Sequence, residues 1–356
     1  MRYGGHDDAG YRVQNRDMGN VALISMGGNL VMEDDWRQTI SWERSDEWPF
    51  RWVPRLVEKL REQDLRPIDA SRLWILSDYS GTHRESRFFS IGVLIADASR
   101  LTNWELKRVA VRRQFLNDGR RMSFKNLNDG NRRAALVPFL DAADEIRGLS
   151  IVLAIDKRIQ HFGGFDGFQK GLKERSIILG NWKSESFERM ITVTHILSVL
   201  LGMVTRQGQN VTWISDADDF FATDLHRKDC ARMMGTFSSL YVRHNLGALA
   251  IGTTELDEGD RYEEDLAAIP DIAAGGVGEL YNNVLMEFGK IPGIAFLGPK
   301  NLSKKSDLIT SWFFHPNEWH QKIACSVWKV AEGHFQIGVL REENNDPVNA
   351  SLLRQP

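Results

Sequence analysis

The chain has 356 residues, of which 42% are hydrophobic and 26% charged, values typical of a globular protein and unlike those of disordered or fibrous chains. Lysine and arginine together number 45 against 48 acidic residues. No overall positive field therefore attracts nucleic acid, and any such binding must come from local basic stretches. The two cysteines, Cys230 and Cys325, form no Cys-x-x-Cys pair, so they indicate neither a disulfide framework nor a zinc site and favour a reducing compartment.

The amino-terminal residues 1–11 contain glycine and aspartate where a secretory signal has a basic start followed by an apolar run. We therefore expect a cytoplasmic protein. The most apolar stretch, 191–204, is interrupted by polar residues and falls short of the roughly twenty residues that a membrane span needs. It predicts a buried helix and no association with a membrane.

Residues 1–70 differ in character from the rest of the chain. They contain one strand-like run at 21–25, one amphipathic helix at 53–63 and a stretch rich in tryptophan, which includes Trp36, Trp42, Trp48 and Trp52. Because so much aromatic surface is costly to leave in water, we expect this N-terminal arm or cap to pack on the main domain or on a partner protein.

An orderly alternation of strands and helices begins at Arg72. The sequence predicts a hairpin of two strands, at 73–76 and 88–96, with Asp78 at the end of the first strand. Further along the chain it predicts helices at 103–115, 129–146, 185–205, 262–288 and 318–330, and strands at 122–125, 149–155, 211–214, 246–252 and 335–340. Apolar runs without polar interruption are typical of strands covered on both faces. The prediction is an α/β fold with a mixed sheet flanked by helices, a core at 71–290 and a C-terminal helix and strand extension at 291–356.

Three acidic residues occupy positions that can converge. Asp78 and Asp216 each follow a predicted strand, and Asp271 lies on the late helix. Ligands of α/β proteins gather at strand ends, and carboxylates brought together there bind Mg²⁺ or Mn²⁺. Each residue also fits a structural role, because aspartate commonly caps a turn or a helix. Asp218 and Asp219 could likewise cap the helix that follows them.

The combination resembles a family. A hairpin with an early aspartate, a short strand, a helix, a strand ending in aspartate and a late helical aspartate are similar to the ribonuclease H-like superfamily of magnesium-dependent nucleases. Residues 78–81 read Asp-Tyr-Ser-Gly and resemble the Asp-Glu-Ser-Gly opening of an uncharacterised bacterial family within it, often found near mobile elements and phage-defence genes. Residues 269–273, Ile-Pro-Asp-Ile-Ala, resemble that family's late leucine-alanine-aspartate helix. The resemblance covers about 72–288.

This resemblance implies a nuclease acting on RNA or DNA, possible defence against mobile genetic elements, and a ribonuclease H-like sheet. It implies that Asp78, Asp216 and Asp271 hold one or two Mg²⁺ or Mn²⁺ ions, with Asp218 as a further candidate ligand. Lys125 could contact a phosphate, although a lysine beside a short strand is more often a solvated or snorkelling side chain. Arginine-rich runs at 108–113, 120–121 and 132–133 could follow a nucleic-acid backbone or mark exposed helix faces.

Two positions depart from the family pattern. Tyr79 stands where the family has its opening glutamate, and Phe124, beside Lys125, stands where another acid is expected, which leaves Asp129 or Asp156 as substitutes. A site for two metal ions needs enough carboxylate charge to hold both ions close together. The alternative hypothesis is therefore a catalytically inactive module of the same fold that binds nucleic acid or, through the tryptophan-rich arm, a protein partner.

Overall fold

The computed structural model describes residues 52–159, 165–174, 177–215, 221–254, 257, 259–291, 299, 301–331 and 334–340. The predicted strand at 21–25 and most of the tryptophan-rich arm lie outside these residues. Three of the acidic residues singled out in the sequence, Asp216, Asp218 and Asp219, also lie outside them.

The described residues form helices and strands that alternate along most of the chain. The helices are α1 (Val53–Arg61), α2 (Thr102–Phe115), α3 (Gly130–Ala143), α4 (Phe165–Glu174), α5 (Ser184–Val204), α6 (Asp224–Tyr241), α7 (Tyr262–Phe288) and α8 (Lys304–Phe314). The strands are β1 (Arg72–Ser80), β2 (Phe88–Asp97), β3 (Gly148–Asp156), β4 (Asn210–Ser215), β5 (Ala248–Thr253), β6 (His320–Ala331) and β7 (His334–Leu340). A short 3₁₀ helix, Phe124–Asn126, lies between α2 and α3.

The strands form one seven-stranded mixed sheet in the order β5-β4-β1-β2-β3-β6-β7. Strands β1, β2 and β3 are consecutive and antiparallel. Strand β4 lies parallel to β1, β5 parallel to β4, and β6 parallel to β3, while β7 returns antiparallel to β6. The expected α/β fold with a mixed sheet flanked by helices is confirmed, and the two C-terminal strands belong to the same sheet as the hairpin.

Helices cover both faces of the sheet, and neighbouring residues of a strand alternate between the two cores. Ile75 of β1 belongs to the core that contains α5 and α6, whereas Leu76 belongs to the core that contains α7. Helix α5 is long and apolar enough to cross a membrane by length and composition alone, but it is buried in the first of these cores. Trp52, the described tryptophan of the arm, is buried in that core together with α1.

Most predicted elements are confirmed, and two are wrong. The segment predicted as a strand at 122–125 contains the 3₁₀ helix instead, because no strand lies beside it and the Phe124 ring packs on α7. The segment 318–330, predicted as a helix, is β6. Its apolar run is buried on both faces by pairing and by helices, and such a run has no periodicity that separates a strand from a buried helix. Helices α4 and α8 were not predicted, and no predicted helix has the bounds of α6.

Candidate metal centre

Asp78 lies on β1 on the face of the sheet that α7 covers. Leu76, two residues earlier, belongs to the α7-side core, and side chains two residues apart in a strand share a face. Asp78 is half-buried, and its Oδ1 accepts a hydrogen bond of 2.5 Å from the backbone N–H of Tyr79. Across the hairpin Asp78 pairs with Gly92 of β2.

Gly92 is the point at which α7 touches the sheet. A Cβ atom at Gly92 would lie 2.2 Å from the carbonyl oxygen of Pro270 and 3.1 Å from the Cβ of Ala274. Only glycine permits this approach of the helix backbone. Because paired residues of antiparallel strands project to the same face, Asp78 lies beside the contact, and Asp271 immediately follows Pro270 in α7.

The position of Asp271 around α7 is set by two neighbouring glycines. Gly276 faces Ile309 of α8, and α8 packs on β6, on the β3 side of the sheet. Gly275, one turn after Asp271, faces Phe124, which Lys305 of α8 also contacts. Residues four apart on a helix share a face, so Asp271 lies on the face of α7 that meets Phe124. Asp78 in β1 and Asp271 in α7 are thus each next to a residue of the contact between Gly92 and Pro270.

Asp271 is oriented by the 3₁₀ segment. The backbone N–H of Phe124 donates to Asp271 Oδ2 at 2.7 Å. Lys305 of α8 places its Nζ 3.9 Å from the centre of the Phe124 ring and donates to the Phe124 carbonyl oxygen at 3.1 Å. The exposed Lys125 follows directly, so the proposed phosphate contact is adjacent in sequence to the residue that holds Asp271.

The carboxyl ends of β1 and β4 are tied together on the opposite face. Ser215, the last residue of β4, pairs with Ser77, which precedes Asp78. The Ser77 Oγ lies 2.7 Å from the Tyr79 hydroxyl and accepts a hydrogen bond of 2.8 Å from Trp213 Nε1. The register therefore fixes where β4 ends beside β1, one residue before Asp216.

The two positions where the resemblance expects further acids have structural roles. Tyr79 hydrogen-bonds with Ser77 and stacks on Phe89 with ring centres 6.0 Å apart. The ring of Phe124 occupies the space that a side chain at Gly275 would need. Neither residue brings a carboxylate to the site.

The two substitute acids are committed elsewhere. Asp129 caps α3 by accepting the N–H of Arg132 and pairs with Arg120 at 2.7 Å. Asp156 is buried, and its carboxylate forms ion pairs of 2.8 Å with both Arg87 and Arg158. Burial raises the pKa of Asp156, although the Lys329 N–H and Arg87 oppose the shift. Both residues serve the fold rather than the site.

Most arginines of the arginine-rich runs are paired within the molecule, whereas Arg113 and Arg133 are exposed. The buried Arg108 and its neighbour Arg112 both contact Asp265, at 3.1 and 2.6 Å. Further along the chain, Arg120 pairs with Asp118 and Asp129, Arg121 with Glu264, and Arg132 donates to the Arg121 carbonyl. These charges hold the loops after α2 against α3 and α7.

A separate acidic cluster lies at the start of α7. Asp257, Asp260 and Glu263 each offer an oxygen, and these atoms lie within 4.8 Å of one another. Burial raises the pKa of Glu263 to about 7, and the neighbouring charges of Asp257 and Asp260 add to the shift. The sequence signal for this cluster is the spacing of three residues between the acids. The cluster could hold a cation, and it contains neither Asp78 nor Asp271.

No protein-family model matches the chain, and no curated protein matches it. A functional proposal therefore depends on the placement of Asp78, Asp271 and their neighbours.

Proposed function

We propose that the protein is a metal-dependent nuclease that hydrolyses phosphodiester bonds of RNA or DNA, with Mg²⁺ or Mn²⁺ as its cofactor. Asp78, Asp216 and Asp271 are the proposed metal ligands, with Asp218 as a further candidate. One observation carries the proposal. Asp78 pairs with the glycine on which α7 rests, and the next residue of α7 after that contact is Asp271.

The order of elements supports the finer assignment of the fold as ribonuclease H-like. The chain forms the β1–β2 hairpin with the early aspartate, continues to β3, and returns to place β4 parallel to β1. The late helix α7 then crosses this part of the sheet. This is the chain order that the resemblance implies, except that a 3₁₀ helix stands where the short strand before α3 is expected. A role in defence against mobile genetic elements belongs to the same proposal.

The donor set suits a hard divalent cation, because Mg²⁺ and Mn²⁺ prefer carboxylate oxygens. Such an ion, when bound, activates a water molecule and stabilises the leaving oxygen of the phosphodiester. The protein's part is positioning. Asp78 is fixed by the hairpin register, and Asp271 is oriented by the Phe124 N–H. Lys125 lies next in the chain and would contact a phosphate of the substrate.

The test is cleavage of labelled single- and double-stranded RNA and DNA with Mg²⁺ or Mn²⁺. We expect Asp78→Ala, Asp216→Ala and Asp271→Asn each to lose at least about a hundredfold in rate, because each removes a proposed metal ligand. Asp141→Ala is the matched control, since Asp141 is an exposed aspartate on α3. Cleavage that survives in the three variants, or that needs no metal, would contradict the proposal.

The second candidate function is a binding module without catalysis, and the aromatic residues at positions 79 and 124 favour it. Both are built into packing contacts, so the site has fewer carboxylates than the resemblance implies. This candidate predicts that the wild-type protein binds labelled nucleic acid or a protein partner, cuts no substrate, and shows no Mg²⁺ or Mn²⁺ binding by calorimetry. Metal-dependent cleavage would exclude it.

A further inference from the structure

We infer that three lysines, Lys125, Lys304 and Lys305, form the surface that binds the phosphodiester backbone of a nucleic acid beside Asp271. We call these residues the lysine surface. The identity of the partner rests on the proposed nuclease function, but binding can be measured without cleavage.

Most of the other basic side chains near the site already form ion pairs. The arginines of α2 and of the loop after it contact carboxylates of the same molecule, as Arg112 contacts Asp265 and Arg121 contacts Glu264. A guanidinium already paired with a carboxylate must break that pair before it can neutralise a phosphate. The residues that the sequence suggested for a nucleic-acid track are therefore poorly suited to it.

The lysine surface differs in this respect. Within the described part of the chain, no carboxylate forms an ion pair with Lys125, Lys304 or Lys305. Two nearby carboxylates are already bonded to other groups. Asp271 accepts from Phe124, and Glu279 accepts from the Ser303 N–H at 2.9 Å and the Ser306 Oγ at 2.8 Å.

Phe124 brings Lys305 of α8 next to Lys125, and Lys304 is the neighbour of Lys305 in the chain. The Lys305 ammonium lies over the Phe124 ring and donates to the carbonyl of Phe124, whose next residue is Lys125. Lys304 precedes Lys305 at the start of α8, and both Lys304 and Lys125 are exposed. Because the N–H of the same phenylalanine donates to Asp271, the lysine surface borders the proposed metal ligand.

Lys305 is the anchor of this surface. It is half-buried, and its position is set by the aromatic ring and by one hydrogen bond, so little side-chain entropy remains to be lost on binding. An ammonium has three N–H donors, and the bond to Phe124 uses one. Three adjacent positive charges without ion pairs match the repeating negative charge of a nucleic-acid backbone, which binds by releasing its counterions.

The experiment measures binding of fluorescent single-stranded RNA, single-stranded DNA and duplex DNA by anisotropy in EDTA, over a series of salt concentrations. The variants are Lys305→Met, which keeps an unbranched stem on Phe124, and the double variant Lys125→Ala with Lys304→Ala, which changes only exposed residues. Lys228→Ala is the control, because Lys228 is an exposed lysine of α6 on the opposite face of the sheet.

We expect each lost lysine to reduce the slope of log K against log salt by about 0.7 to 0.9, and the control to leave it unchanged. Slopes equal to wild type in both variants would overturn the inference, as would an equal loss in Lys228→Ala. Reduced slopes with no metal-dependent cleavage by wild type would support the lysine surface and reject the nuclease. Cleavage with unchanged slopes would support the nuclease and reject the surface. The three substrates show whether RNA or DNA is preferred.

Discussion

The two faces of the sheet are covered in different ways. On one face lie α5 and α6, and α5 is buried along nearly its whole length. Several of its buried hydroxyls bond to the preceding turn, as Thr194 Oγ1 donates to the Met190 carbonyl at 2.8 Å, and its buried His195 bonds through Nε2 with the Tyr241 hydroxyl of α6. On the other face lies α7, which meets its neighbours at Gly275, Gly276 and Gly278 and has carboxylates at Asp265 and Asp271.

One face of the sheet thus supports an apolar helix layer, and the other carries the proposed metal ligands Asp78 and Asp271. The α5–α6 face is stabilised mainly by buried apolar area, and its buried hydroxyls bond within α5 or to α6. On the α7 face, glycines allow the backbone of α7 to lie close to the strands. Carboxylates of α7 can therefore lie next to the strands with no cavity between helix and sheet.

Removing a buried charge on the α7 face should be the most damaging change. The side chains of Asp265 and Arg108 are only 1% and 3% exposed, so Asp265→Ala leaves two arginines without their shared carboxylate. We expect a loss of about 3 to 5 kcal/mol in the free energy of unfolding, measured by urea denaturation. The exposed Asp141→Ala should change it by less than about 0.5 kcal/mol. Equal losses in the free energy of unfolding for Asp265→Ala and Asp141→Ala would show that the buried ion pairs of Asp265 add no stability.

Adding a methyl group at the contact between α7 and the sheet should come next. Gly92→Ala places a Cβ 2.2 Å from the Pro270 carbonyl oxygen, and backbone atoms on both sides cannot move aside cheaply. We expect a loss of about 3 kcal/mol in the free energy of unfolding. Gly130→Ala is the matched control, since nothing lies within 4 Å of a Cβ there. If both variants were as stable as wild type, α7 would not rest on Gly92.

The acidic cluster at the start of α7 should make stability depend on pH. The pKa of Glu263 is about 7 in the folded protein against an ordinary 4.5, so the folded state binds this proton more tightly than the unfolded state. The resulting stability is present below pH 4.5 and is lost as the pH rises through about 7. Glu263→Gln should therefore be more stable than wild type by about 1 to 2 kcal/mol at pH 8 and nearly equal to it at pH 4. Melting curves at the two pH values test this, and a pH-independent difference would contradict it.

The smallest expected effect belongs to the hydroxyl that ties β1 to β4. Tyr79→Phe removes the hydrogen bonds to Ser77 of β1 and, at 3.4 Å, to Ser215 of β4, but keeps the ring stacked on Phe89. We expect a loss of about 1 kcal/mol in the free energy of unfolding, measured by urea denaturation. Tyr281→Phe is the comparison variant, because it removes a buried hydroxyl from the α7 face of the sheet. A Tyr79→Phe variant as stable as wild type would show that the hydroxyl does not brace the strand ends.

The sequence predicted those elements correctly whose pattern of apolar residues or capping residue lies within the element itself. The helix predicted at 262–288 has the bounds of α7, and Asp129 caps α3 as expected. It failed at β6, whose apolar run is read equally well as a helix, and at the 3₁₀ segment around Phe124. For the site, it singled out Asp78 and Asp271, left open whether the arginine-rich runs follow a nucleic acid or mark exposed helix faces, and overlooked Lys305. The pairing of those arginines depends on acids far away in the chain, such as Asp265 for Arg112.

The sequence by itself determined the alternation of strands and helices, the hairpin that begins at Arg72 and the positions of its aspartates on elements, because these follow from periodicity within a few residues. Tertiary structure alone decided which charges are neutralised and which remain available, because ion pairs join residues more than a hundred positions apart. It also decided that Asp78 and Asp271 each lie next to the contact between Gly92 and Pro270. This placement depends on Gly92, because the absence of a side chain there allows α7, which lies far along the chain, to pack against β2.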